Sequence, residues 1–211
     1  MAKIKVMSRA KYHSELRQEQ AASTRQAILD AARALFVEHG YAQTTVAEIA
    51  AAAHVAVPTV YASVGSKPTI LGELRKRIPI LAGVPQDIPS ALAPANDPLT
   101  VIAGCVRVIR RLMETSGDLM STIEAAAPFE PVANEAWEEG LVLHRYGWEM
   151  VVKRLKSLGA LQAGLPESRA VDILSFLSLP AAWRTFGRDH GWSYDEIERW
   201  INETAMILVT V

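Results

Sequence analysis

The sequence predicts an all-α chain of two domains, and three observations predict it. Apolar residues recur at spacings of three and four along most of the chain, with no alternating run that would build a strand. Five of the eleven prolines (Pro79, Pro85, Pro89, Pro94 and Pro98) crowd between residues 78 and 98, where they disfavour a long helix and mark a linker or irregular segment. Charge divides at the same place. Residues 1–77 hold eleven Lys/Arg against six Asp/Glu, a net of +5, and residues 78–211 hold eleven against seventeen, a net of −6, both hidden inside a whole-chain charge of −1. A basic module joined to an acidic one arises when only the first must meet a polyanion. Solvated charge without a role is the competing reading unless a motif occupies the basic part.

A chain of 211 residues can bury a core without disulfide or metal support. Its single cysteine, Cys105, forms no intrachain disulfide and no multi-thiolate metal site, which fits a reducing compartment. No apolar run reaches the roughly 18 residues of a membrane span, and the first turns of sequence carry charges in place of an apolar signal core. The expectation is a cytoplasmic protein, neither exported nor membrane-spanning.

Taken in order, residues 1–22 are polar and basic (Lys3, Lys5, Arg9, Lys11, Arg17) and read as a flexible arm. From Ser23 the stripe Ile28, Ala31, Ala32, Leu35 and Phe36 predicts a first helix, stopped at Gly40. Thr45-Val46-Ala47-Glu48 is a capping box that starts a second helix at Val46, with Ile49, Ala50 and Ala53 on its apolar side. After a break at His54-Val55-Ala56, Val57-Pro58-Thr59-Val60-Tyr61 opens a short third helix, since proline is tolerated in a first turn. Ser66 caps a fourth, containing Lys67, Pro68, Ile70, Leu71 and Leu74. The expected domains are therefore the arm 1–22, a basic helical domain 23–77 and a second helical domain 78–211.

In the second domain, Ile102, Cys105, Ile109, Leu112 and Met113 mark one amphipathic helix, followed by a shorter apolar stretch from Met120 to Ala127 that Pro128 and Pro131 end. Trp137, Leu141, His144, Trp148, Val151, Leu155 and Leu158 form the best seam of the chain, with Glu135, Glu138 and Glu139 near its start and Lys153, Arg154 and Lys156 near its end, as the helix dipole prefers. Two helices remain, one from about Glu167 through a kink at Pro180 to His190, one from about Tyr194 to Leu208. Both are apolar on more than one side, so both must bury more than one face, either internally or against a second copy of the chain. Ile173, Leu177, Ile197, Trp200, Ile201 and Leu208 are the candidate dimer residues.

Three short helices in a basic segment, the second and third joined by a tight turn, form a helix-turn-helix. Thr24 to Leu71, through Ala27-Ile28-Leu29, Leu35-Phe36, Gly40-Tyr41, Thr45-Val46, Ile49-Ala50, Val55, Thr59-Val60-Tyr61 and Gly65-Ser66-Lys67, resembles the N-terminal domain of the TetR family of bacterial transcriptional regulators. The resemblance implies a homodimer on double-stranded DNA at a palindromic operator, and a small effector in the C-terminal domain that weakens DNA binding. It also implies that Thr45, Tyr61 and Lys67 grip phosphates. The residues' own competing roles are helix cap, core edge and solvated surface, in that order.

Chemistry adds Val57, Pro58 and Thr59, whose compact side chains allow a helix into the major groove and suit thymine methyls. No Arg, Asn or Gln stands between Val57 and Ser63, so specificity must draw on apolar contact and DNA shape. The sequence departs from the family pattern at His54, where Gly is usual, and at Ala62 and Val64, where basic and aromatic residues are frequent. Cys105, Arg107, Met113, Met120, Trp137, His144 and Trp148 are the candidate lining of a pocket for a largely apolar ligand, with core packing as the competing account. His-x-x-x-His, Glu-x-x-His, P-loop and nucleophile-elbow spacings are absent. No enzyme, metal site or cofactor is expected. The reading is a repressor released by a small apolar ligand; its rival is a helical ligand-binding or interaction protein that does not bind an operator.

Overall fold

The computed structural model describes the backbone of residues 9–211 and the side chains of residues 16–211. It is 77% helical, and among the described residues the only β pairing is an isolated antiparallel bridge between Leu161 and Thr210. Two compact units result, Met1–Arg75 and Lys76–Val211.

The first unit holds α1 (Arg9–His39), α2 (Val46–Ala52), α3 (Val57–Ser63) and the start of α4 (Lys67–Leu81). Helix α1 begins fourteen residues before the expected Ser23, so residues 9–22 correct the expectation of a flexible arm, while residues 1–8 lie outside the described residues. Apolar periodicity is absent there, as residues 16–23 are exposed on every side. Backbone propensity carries the helix instead, because Ala, Arg, Gln, Glu and Leu dominate the segment and no Gly or Pro interrupts it. Further along, Ile28, Leu29, Ala32 and Phe36 of α1 meet Ile49, Val60, Ile70 and Leu71 in a fully buried core. Gly40 closes α1 at φ 83°, the left-handed conformation that a side chain would resist.

The second unit holds the rest of α4, α5 (Ile88–Leu92), α6 (Pro98–Ala126), α7 (Pro131–Ser157), α8 (Glu167–Leu177), α9 (Pro180–Arg184) with a π-helical turn at Thr185–Asp189, and α10 (Tyr194–Val209). The two stretches expected between Ile102 and Ala127 are one continuous helix. Thr115, Ser116 and Gly117 are poor helix formers, but Ser116 is fully buried, so tertiary packing overrides propensity; the Thr115 hydroxyl bonds back within the helix to the Arg111 carbonyl at 2.6 Å. Likewise, the expected kink at Pro180 is a break: α8 stops at Leu177, and Pro180 starts α9 in the first turn where its missing N–H has no consequence. Trp148 sits at the centre of the core with Ile102, Val106, Val151, Leu155, Leu174, Ile197 and Ile201. Arg110 of α6 clamps α10, its guanidinium bonding Asp195 and Glu198 (2.7 Å) while Glu114 holds its other side at 2.7 Å.

Candidate nucleic-acid interface

Thr45 starts α2 with both halves of the capping box in place: its hydroxyl accepts from the Glu48 N–H at 3.2 Å and donates to the Glu48 carboxylate at 2.8 Å, which in turn accepts the Thr45 N–H at 2.7 Å. These bonds hold the Glu48 carboxyl below the usual carboxylate range. Between α2 and α3 the chain turns by 96°, within the range of helix-turn-helix units. His54 supplies the turn at φ 55°, the only described residue other than glycine with positive φ. Glycine there removes side-chain strain but adds unfolded-chain entropy, so His54→Gly is expected to raise stability by about 0.5–1 kcal/mol. Urea midpoints of the two proteins check this, and a lower midpoint for the variant would refute it.

Helix α3 is pinned from beneath by Val60, which is fully buried, and this anchoring turns Val57, Pro58, Thr59 and Tyr61 outward. Tyr61 is 54% exposed, so the core-edge alternative does not describe it. Two cations missed as structural devices hold this surface. Arg25 of α1 donates to the Ser63 carbonyl at the end of α3 and to Glu73 of α4 at 2.7 Å. Its sequence signal is faint: a charge one turn before Ile28 on the apolar stripe of α1. Lys67 is not the solvated surface residue of the alternative reading, because its ammonium donates to the carbonyls of Tyr41 (3.0 Å), Ala42 (3.3 Å) and Thr44 (3.0 Å).

In the second unit the expected pocket residues separate. Arg107 is exposed, which corrects its place in a pocket lining: it falls on the outer face of α6, one residue past the buried Val106. Trp148 and Met113 are buried in the core, whereas Cys105, Met120, Trp137 and His144 are half-buried. Burial pushes the Cys105 thiol up to about 12, which makes it a poor nucleophile. His144 Nε2 lies 3.1 Å from the Ser175 carbonyl oxygen and 3.4 Å from Ser178 Oγ, and the Trp148 indole N–H donates to the same Ser178 hydroxyl at 2.8 Å. Burial holds the His144 pKa below its ordinary value, with the Ser175 bond opposing more weakly. The unfolded chain therefore takes up this proton first as pH falls. Stability from this group is present above about pH 6.5 and is lost on acidification toward the lowered folded value. His144→Gln is expected to flatten the fall in unfolding free energy between pH 7.5 and 5.5, measured by urea titration; an unchanged slope would refute this.

Two of the expected dimer residues are also corrected. Ile197 and Ile201 are 1% and 0% exposed within one chain, because they form the inward stripe of α10 with Ala205. Ile173, Leu177 and Trp200 are half-buried and Leu208 is 41% exposed. Phe176 (73%) and Ile207 (77%) are the exposed apolar residues that the sequence reading left out of that set, although both stand off the main stripes of their helices.

Fold and reading head together define a helix-turn-helix protein with a separate all-α unit. Residues 28–74 match the sequence profile of "Bacterial regulatory proteins, tetR family". Among solved structures, a TetR-family transcriptional regulator from Mesorhizobium loti is 25% identical, with a TM-score of 0.63 over 90% of this chain and 98% of its own. NalD of Pseudomonas aeruginosa, the secondary repressor of the MexAB-OprM multidrug efflux pump, is 22% identical (TM-score 0.70, 91% and 98% covered). SmeT, the repressor of the Stenotrophomonas maltophilia multidrug efflux pump SmeDEF, is 22% identical (TM-score 0.68, 90% and 93% covered). No curated protein matches the chain. Residues 28–74 are thus similar to the TetR-family regulators, and the chain as a whole shares the fold of the solved members.

Proposed function

We propose that the chain is a repressor that binds a palindromic operator as a homodimer and leaves it when a small, largely apolar effector binds the C-terminal unit. The observation that carries this reading is α3, a helix anchored by one buried valine and presenting only compact or hydroxylated side chains. Val57, Pro58 and Thr59 reach base edges in the major groove, and Thr45 and Tyr61 reach the flanking phosphates. Lys67 stands beside them at the start of α4. Dimerisation uses the outward faces of α8 and α10, where Ile173, Phe176, Leu177, Trp200, Ile207 and Leu208 lie. Acting on bacterial DNA, the protein works in the cytoplasm; no described helix is long and apolar enough to cross a membrane.

The effector contacts Cys105, Met120, Trp137 and His144, half-buried residues of the facing helices α6 and α7. NalD and SmeT are repressors, and SmeT has been solved with triclosan, which supports a ligand-responsive reading of the same fold. The effector must bind the DNA-incompetent conformation more tightly than the competent one, since equal affinity shifts no population. Selection of sites from random duplex DNA, followed by titration of the winner at several salt concentrations, tests the reading. A palindrome with a steep negative salt dependence is the expected result. Folded dimer that enriches no site would leave a helical ligand-binding protein instead.

A further inference from the structure

Lysine is an odd choice to begin a helix. The first turn of α4 carries the positive end of its dipole, and a cation there is repelled. The structure shows what offsets this. A lysine ammonium has three N–H donors and no acceptor, and the three carbonyls of Tyr41, Ala42 and Thr44 lie around Lys67 Nζ at 3.0 to 3.3 Å. The same nitrogen stands 4.4 Å from the centroid of the Tyr41 ring, a cation–π contact. All three carbonyls belong to the turn between α1 and α2, and the last of them immediately precedes Thr45, the cap of α2. That turn is otherwise held from within. The Thr44 hydroxyl, 1% exposed, is shared between the carbonyls of Gly40 (2.9 Å) and Leu35 (3.2 Å), and Tyr41 packs against Phe36 at 5.1 Å between ring centroids.

We infer that Lys67 serves DNA binding as a positioning residue, its ammonium capping the three turn carbonyls and so fixing the start of α2 and Thr45, rather than as a direct phosphate contact. The inference rests on the operator-binding reading above. With all three donors committed inside the protein, reaching a phosphate would take the donor away from the part-buried carbonyls of Tyr41 and Thr44. Arginine cannot take over this role. Its planar fork suits two parallel acceptors, as on a phosphate, and not three carbonyls converging on one tetrahedral nitrogen.

Lys67→Arg is therefore the decisive variant, because it keeps the charge and with it the salt dependence of binding. Full-length wild type, Lys67→Arg and Lys67→Met are titrated on the selected operator at several salt concentrations, with amide hydrogen exchange followed in the free proteins. Lys67→Arg is expected to lose about tenfold in affinity, corresponding to about 1.4 kcal/mol, with an unchanged salt slope and faster exchange at Thr44 to Glu48. An arginine variant that binds as tightly as wild type, while Lys67→Met flattens the salt slope by about 0.9, would overturn the inference in favour of a direct phosphate contact. Should the methionine variant fail to fold, the arginine comparison still decides. Wild-type protein that selects no site would overturn the operator reading, and with it this role in DNA binding, whatever the exchange pattern shows.

Discussion

Trp148→Ala lowers the unfolding free energy of the C-terminal unit by about 3–5 kcal/mol, the range for truncating a large aromatic side chain in a close-packed core. Trp148 is fully buried, so the surrounding helices α6, α7, α8 and α10 would have to collapse into the space of an indole. The substitution also removes the donor to Ser178, although that hydroxyl keeps its own bond to the Leu174 carbonyl at 2.9 Å. Trp148→Phe separates the two contributions: it keeps most of the ring volume, and its cost is about 1–2 kcal/mol. Urea unfolding followed by circular dichroism at unchanged m-value measures both. A loss below about 2 kcal/mol for the alanine variant would mean that the site relaxes far more than a core of this density should.

Phe176→Glu combined with Ile207→Glu is expected to give a monomer at micromolar concentration, with the dimer dissociation constant raised by at least about a hundredfold, since a buried apolar anchor contributes about 2 kcal/mol or more. Each side chain is more than two-thirds exposed in the single chain, at 73% and 77%, so its replacement leaves the fold of the chain intact. Ile201→Glu provides the contrast. That residue is fully buried, and an unpaired carboxylate there unfolds the unit. Sedimentation velocity and circular dichroism on the three proteins distinguish the faces. A double variant that still sediments as a dimer would remove α8 and α10 from the interface. Operator affinity is expected to fall with the dimer, because two half-sites are then gripped by separate molecules.

Legibility in the sequence follows the range of each interaction. The start of α2 was readable from Thr45 and Glu48 because a capping box involves four consecutive residues, and the Ile28, Ala32 and Phe36 stripe because its spacing is the helix period itself. The turn at His54 was legible through the family resemblance, which has Gly there, and His54 adopts the positive φ that Gly favours. By contrast, the early start of α1 was hidden because propensity without amphipathicity leaves no stripe. The continuity of α6 was hidden because a weak Thr-Ser-Gly stretch is held by the packing that buries Ser116.

The chain's own order of residues determined the number and caps of most helices, the basic reading head and the outward side chains of α3, since each depends on neighbours within a turn or two. Tertiary structure decided which face of α10 turns inward, so that Ile201 is core and Ile207 is surface. It also gave Arg25 and Lys67 partners 38 and 23 to 26 residues away. The physical reason is that a periodic pattern marks faces as apolar without saying what covers them, and a long cation's role is set by the carbonyls and carboxylates that folding brings within about 3 Å of it.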